Sequence, residues 1–269
     1  MRPISIPANI LRYWNTDARA PESCAAVQAA YRQNLYRGIP DVSIVIPAYN
    51  EEDSIVKTLT SLCNNQTRYA VEIIVVDNNS ADRTAELVKA CGVTCVPEPK
   101  QGITNARNGG LAHANGTYVL NADADTIYPQ NWIDEMIRPL DENKNAALSY
   151  GIFSFIPIGK TGRLSYFFYE YFSDWTRFFN RRFREEAVNV YGFNSAFRRE
   201  QGLSVDGFNH PPGTNEDGWL AVKLRDKGYG KLHLVTKAPV WTTDRRLQID
   251  GGLGPAVRKR IKRFLRIKN

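Results

Sequence analysis

From Asp41 onward, short apolar runs alternate with stretches in which apolar residues recur roughly every three or four positions, the rhythm of strands joined by helices. Val42-Ser43-Ile44-Val45-Ile46-Pro47 and Val71-Glu72-Ile73-Ile74-Val75-Val76 predict strands. Glu51 to Cys63 and Ala81 to Cys91 predict the helices that follow them, the first with Glu51, Glu52 and Asp53 in its opening turn, where the macrodipole favours carboxylates. Val93 to Val96 predicts a short third strand and Gly102 to Asn115 a third helix. Thr117 to Ala122 then reads as a buried strand that delivers Asp123 and Asp125 with only Ala124 between them. β-Branched runs linked in this way describe an α/β fold, a mostly parallel sheet with helices on both faces.

The second half is less regular. Ala146 to Phe153 predicts a strand, Arg163 to Arg184 a long aromatic helix and Val188 to Gly192 a further strand. A loop from Gly207 to Gly213 precedes a helix over Glu216 to Lys227; Lys231 to Val235 and Pro239 to Thr242 predict two closing strands, and Pro255 to Ile267 a last helix. Residues 1–40 lack strand character and predict one helix, Pro21 to Tyr36, in an extension suited to covering a sheet edge or an apolar patch. The expected organisation is therefore an N-terminal helical extension (1–40), an α/β body (41–254) and a basic amphipathic helix (255–269).

Composition narrows the function classes. At 269 residues and 43% hydrophobic content a sizeable core is expected. Seven basic residues and no acidic one between Ala256 and Asn269 account for the whole net charge of +7, so the body carries no basic stripe and nucleic acid is not an expected partner. No apolar run approaches the ~20 residues that cross a bilayer. Cys24, Cys63, Cys91 and Cys95 lack disulfide-framework or zinc spacing, and no secretory leader opens the chain, which points to buried thiols in a reducing cytoplasm.

In open α/β sheets ligands gather beyond the carboxyl ends of the strands, and here those ends are polar. The first reads Pro47-Ala48-Tyr49-Asn50-Glu51-Glu52, the second Asp77-Asn78-Asn79-Ser80-Ala81-Asp82-Arg83-Thr84, and the last Asp123-Ala124-Asp125. Two carboxylates on one short turn can hold a hard divalent cation and leave positions open for a diphosphate, although such pairs also turn the chain and cap helices. With Gly102-Ile103-Thr104-Asn105-Ala106-Arg107-Asn108 and Asn215-Glu216-Asp217, this order of motifs resembles the family 2 glycosyltransferases of GT-A fold over roughly residues 41 to 245.

The resemblance implies a GT-A type, Rossmann-like sheet whose nucleotide-binding half precedes an acceptor-binding half. It implies that Ala48, Tyr49 and Glu51 line the base and ribose of a nucleotide-sugar donor and that Asp77 accepts the N–H of a uracil-like base. Arg107 would reach the diphosphate, Gly102 allowing close approach. Asp123 would serve ribose and metal, and Asp125 would bind Mn²⁺ or Mg²⁺ directly. Asp217 matches the family's catalytic base, with Glu216 in support; Gly192 and Asn194 would face donor sugar or acceptor, and Arg245 or Arg246 would clamp the diphosphate. Taken alone, the residues leave other roles open. Asp77 and Asn78 also suit an Asx turn, with Ser80 the better cap for the helix that follows; Arg107, Arg245 and Arg246 also suit solvated surface charges, and Glu216 and Asp217 a helix first turn. His210, in the loop before Asp217, has a minor claim to the metal or acceptor, while His113 and His233 read as structural.

The implied activity is inverting transfer of one sugar, with UDP-sugar favoured, to a glycan or lipid-linked acceptor in cell-envelope or exopolysaccharide synthesis. The Gln-x-x-Arg-Trp signature of processive synthases is absent, so a single transfer per encounter is expected. A sugar nucleotidyltransferase would carry a Gly-rich basic loop after the first strand, and a dinucleotide oxidoreductase a Gly-x-Gly-x-x-Gly turn; neither is present. A catalytically silent scaffold at the membrane is the other alternative, opposed by the intact Asp123, Asp125 and Asp217. Ten aromatic residues between Tyr166 and Phe183 exceed what one buried stripe uses. Val257, Ile261, Phe264 and Leu265 share one face of the last helix amid Lys and Arg, which suits either an anionic membrane surface or packing on the body. The expected location is cytoplasmic, peripheral on the inner face of the cell membrane.

Overall fold

The computed structural model describes residues 2–249 and 251–265. Strands β1 (Val42–Ala48), β2 (Val71–Asp77), β3 (Thr94–Pro97) and β4 (Tyr118–Asn121) run parallel. With β5 (Thr126–Ile127), β6 (Ala146–Ile156), β7 (Ser195–Arg198) and β8 (Lys231–Thr243) they form one sheet in the order β3-β2-β1-β4-β7-β6-β8-β5. β7 and the edge strand β5 are antiparallel to their neighbours, and β6 and β8 are parallel to each other. The sheet is therefore mostly parallel, as expected.

Both faces are buried because the strands are apolar on both. In β1, Ile44 and Ile46 belong to one core layer and Val45 to the other. The first layer packs under α2 (Pro21–Asn34), α3 (Ile55–Cys63), α4 (Thr84–Ala90), α6 (Trp132–Glu142) and α7 (Arg163–Phe183). The second packs under α5 (Ile103–His113) and α9 (Glu216–Asp226). Each fully buried aliphatic side chain contributes about 1.5–3 kcal/mol to this arrangement. Cys24, Cys63 and Cys91 are buried free thiols in the first layer and Cys95 is half-buried.

Residues before β1 hold two helices where one was expected. The additional one, α1 (Ala8–Trp14), buries Ile10 and Tyr13 against Ile127, Ile156 and Trp241 at the β5 edge. Arg2 is buried further along, donating from Nη2 to Asp174 Oδ1 at 2.8 Å and from Nη1 to Ser154 Oγ at 3.0 Å.

Helices α3 and α4 begin three to four residues later than predicted, and cross-loop hydrogen bonds explain why. Asn50, at φ 54°, donates its N–H to Ser80 Oγ and accepts from the Ala81 N–H. Glu51 N–H reaches Thr84 Oγ1 at 2.8 Å, and Glu52 N–H reaches Asp82 Oδ2 at 3.1 Å. Groups expected to start helices instead lace two strand-end loops together. Ser80 is thus not the α4 cap; the cap position is Arg83, which makes no side-chain cap bond, and Asp82 just before it accepts from the Thr84 N–H.

Three other elements differ from expectation. Val188 to Gly192 forms no strand: a 3₁₀ turn spans Glu186–Asn189, started by the Glu185 carboxylate accepting from the Ala187 N–H. The strand is Ser195–Arg198, fixed by pairing with β4 on one side and β6 on the other. Lys231 to Thr243 is one strand, β8, whose register against β6 shifts between Val235 and Val240, so that Pro239 sits in the irregular stretch where no ladder N–H is needed. α6, which begins after Asn131 without a side-chain cap bond and carries Pro139, was not anticipated. The short helices α8 (Arg199–Ser204) and α10 (Arg245–Ile249) lead out of β7 and β8, and α11 (Leu253–Leu265) closes the described chain. The end of the predicted last helix, including Arg266 and Ile267, lies outside the described residues, as do the side chains of Phe264 and Leu265. Among the described residues no helix is long and apolar enough to cross a membrane.

Candidate active site

Beyond the carboxyl ends of β1 and β4 lies a cleft of about 580 Å³. Ala48, Tyr49 and Glu51 from the first strand end, Asp123 and Asp125 from the turn after β4, and Arg245 and Arg246 from α10 all stand on its walls. The turn after β4 is held from behind by Tyr128, a fully buried residue whose hydroxyl accepts from the Asp123 N–H at 2.9 Å and donates to Phe193 O at 3.1 Å.

Acidic side chains concentrate on this cleft. Burial pushes the Asp125 carboxyl up to about 6, and the neighbouring charges of Asp123 and Glu51 add to the rise against the opposing guanidinium groups of Arg245 and Arg246. Arg245 bridges the acids, donating to Asp125 Oδ2 at 3.0 Å and to both carboxylate oxygens of Glu51. Thr243 Oγ1 lies 3.4 Å from the same Asp125 oxygen. Among the described residues no three His, Cys, Asp or Glu groups already form a metal cage. The donor set nevertheless suits a hard divalent cation: carboxylate oxygens from one short turn, with Glu51 close by, beside the Arg245 and Arg246 guanidinium groups that offset their charge.

Arg107 occupies a different place from that expected. It is 1% exposed and points under the cleft floor, with Nη1 donating to Ala122 O at 3.0 Å and Nη2 to Asp123 Oδ1 at 2.7 Å. Both terminal nitrogens are bonded to the turn, so here it holds Asp123 and does not stand on the cleft wall where a diphosphate would be reached. Its Nε, buried without a hydrogen-bond partner, lies 3.9 Å from Asp217 Oδ1, itself buried and unpartnered. Asp217 enters on the first turn of α9, whose N-cap Asn215 accepts from the Gly218 N–H at 2.8 Å. Burial drives the Asp217 carboxyl up to about 7; Arg107 counteracts this, while Glu216 and Asp123 reinforce it. Glu216 directly precedes it as a half-buried residue.

Gly192 does not face an open subsite. A Cβ there would lie 2.4 Å from Arg107 Nη2 and 2.5 Å from both Asp217 oxygens, so its bare backbone is what lets the ion pair sit flush. Asn194 is likewise engaged in the core: 1% exposed, it accepts from Trp132 Nε1 at 2.8 Å and donates to Ile152 O at 2.9 Å. At the second strand end the cleft wall is Asn78, while Asp77 has a buried Oδ1 with no partner. The Asn78 amide donates to Glu98 O and Lys100 O and accepts from the Gly102 N–H, pinning the loop before α5. His210 ties the loop before α9 to α5 through Thr104 Oγ1 at 3.2 Å. Asn78, Ile103 and Ala106 on the cleft wall and Tyr128 behind it add to the expected set; Ile103, Ala106 and Arg107 share one face of α5 at helical spacing, a signal present in the sequence.

A family model described as glycosyl transferase family 2 matches residues 43–201. A succinoglycan biosynthesis protein of Rhizobium meliloti, ExoO, is 34% identical over 112 residues, 38% of this chain and 30% of that protein. The chain spans about a third of the length of the curated relatives it matches first. Among solved structures, glucosyl-3-phosphoglycerate synthase from Mycobacterium tuberculosis, in complex with Mn²⁺, UDP and phosphoglyceric acid, aligns with a TM-score of 0.55 at 20% identity, covering 91% of this chain and 84% of that one. The mannosyltransferase PcManGT from Pyrobaculum calidifontis, in complex with GDP-Man and Mn²⁺, aligns with a TM-score of 0.57 at 20% identity, covering 86% and 68%. At these identities the structures establish a shared fold.

Proposed function

Since the chain belongs to glycosyl transferase family 2, we propose that it transfers one sugar from a nucleoside diphosphate donor, UDP-sugar favoured, to a hydroxyl of a glycan or lipid-linked acceptor, with inversion and with Asp217 as the base. The observation that carries this reading is the junction under the cleft. A buried carboxylate with an unpartnered oxygen stands 3.9 Å from a guanidinium that in turn grips Asp123 on the cleft wall. A general base needs a pKa near the working pH and a free acceptor oxygen, and Asp217 has both. Taking the acceptor proton as the oxygen attacks the anomeric carbon breaks the bond to the diphosphate in one displacement, so the configuration inverts.

Glu51, Tyr49 and Ala48 would line the nucleoside, and Asp125 with Asp123 would hold Mn²⁺ or Mg²⁺. The cation, when bound, supplies charge stabilisation for the departing nucleoside diphosphate. Arg245 must release Asp125 and Glu51 as the donor enters, which frees its guanidinium, beside Arg246, for the diphosphate oxygens. The succinoglycan relative supports a place in exopolysaccharide or cell-envelope synthesis. A panel of nucleotide sugars scored by thermal protection, with and without Mn²⁺, tests the donor and metal assignments together. A UDP-sugar should stabilise the protein markedly more with Mn²⁺ than without it; equal protection in the absence of metal would remove the metal role.

A further inference from the structure

Helix α7 exposes an ordered apolar row. Leu164, Phe168, Tyr171, Trp175 and Phe178 follow one another at spacings of four, three, four and three residues, and Arg182 continues the row one step on. That spacing keeps all of them on one side of the helix over about 20 Å. Their exposures are 57%, 64%, 41%, 50% and 55%, whereas the opposite side, Tyr166, Glu170, Ser173 and Arg177, is buried against the body. Phe183, also exposed at 61%, stands beside its far end.

The flank of this row carries cations. α11 reaches α7 through Arg260, whose Nη1 donates to Thr176 Oγ1 at 2.8 Å and whose guanidinium is stacked over the Tyr169 ring. Val257 packs inward while Arg258, Lys259, Ile261 and Lys262 are exposed. α11 contains no acidic residue. The two acidic residues of α7 are both taken: Glu170 is bonded by Arg163, and Asp174 by Arg2 and Arg177. Lys160, Arg181 and Arg182 add exposed positive charge at the helix ends.

We propose that α7 and α11 together form a docking face for an anionic membrane surface, the aromatic row entering the headgroup boundary and the α11 cations meeting the lipid phosphates. Two arguments select this occupant over a second copy of the chain. Two such faces pressed together would bring cations against cations with no carboxylate free to neutralise them. Trp, Tyr and Phe in one row with basic neighbours are also what an interfacial helix presents to lipid. The inference stands on surfaces away from the cleft and does not require the proposed chemistry.

Vesicle co-sedimentation tests it directly. The full chain should bind phosphatidylcholine vesicles containing about a third phosphatidylglycerol at least roughly tenfold more tightly than pure phosphatidylcholine vesicles. Phe168→Ser with Phe178→Ser, and separately Arg258→Ser with Lys259→Ser, should each lower that binding about tenfold. Both variants should keep the wild-type thermal midpoint, the second guarding against a folding defect in the first. Equal binding to neutral and anionic vesicles, or unchanged binding by both folded variants, would overturn the proposal. So would sedimentation velocity showing a dimer that the aromatic substitutions dissociate while vesicle binding is absent.

Discussion

In the proposed reaction Asp217 carries both the proton transfer and a cost in stability. A carboxyl whose folded value is about 7 against an ordinary 3.8 keeps its proton in the native protein after the unfolded chain has lost it. Its contribution to stability is therefore full below about pH 4 and is lost as pH rises through about 7. Asp217→Asn should remove that stretch of the pH–stability curve, which denaturant titrations between pH 5 and 8 would detect. The same substitution should leave donor binding nearly unchanged and lower turnover by about a hundredfold or more. Asn194 makes the opposite case. Asn194→Ala leaves the Trp132 N–H and the Ile152 carbonyl unpaired in the core, so it should cost about 1–3 kcal/mol and lower the melting midpoint by a few degrees while leaving KM for the donor unchanged. Sequence pattern singled out Asp123, Asp125 and Asp217 but could not say which polar side chains are spent internally. Arg107 and Asn194 look like ligand groups until their partners, Asp123 and Trp132, are seen.

At the level of elements, α10 acts as a strap across the cleft. Through Arg245 it supplies the positive charge that Glu51 and Asp125 lack, in the place a divalent cation would contest. Arg245→Ala should consequently tighten Mn²⁺ binding in the absence of nucleotide, by about tenfold on simple Coulomb grounds. Titration calorimetry would show it, and unchanged affinity would mean that the guanidinium and the metal do not compete. The elements missed from sequence have identifiable causes. α6 has the apolar spacing Trp132, Ile133, Met136, Ile137, Leu140 of an amphipathic helix, with Asp134 and Glu135 in its first turn, but Pro139 interrupts the pattern. Val188 to Gly192 has strand-like composition, yet local turn bonds claim it, and the less β-prone Ser195–Arg198 is made a strand by its neighbours on both sides.

For the molecule as a whole, the half from β1 to β4 was legible because its strands are largely β-branched apolar runs whose lengths and order fix a parallel sheet. The other half depends on pairings between residues far apart, such as β6 with β8 and β4 with β7, which no local rhythm encodes. The sheet brings Asp123 and Asp125, on one turn, to the same end as Asp217 from a distant segment, and Arg107 is the group that joins Asp123 to Asp217. The pH dependence of kcat/KM for UDP release from the preferred donor, in wild type and in Asp217→Asn, tests that junction most directly. The wild-type rate should rise with pH through an inflection near 7 as the Asp217 carboxyl ionises, and the variant should lose both the inflection and most of the rate. A variant with the wild-type rate and the same inflection would show that the proton goes elsewhere.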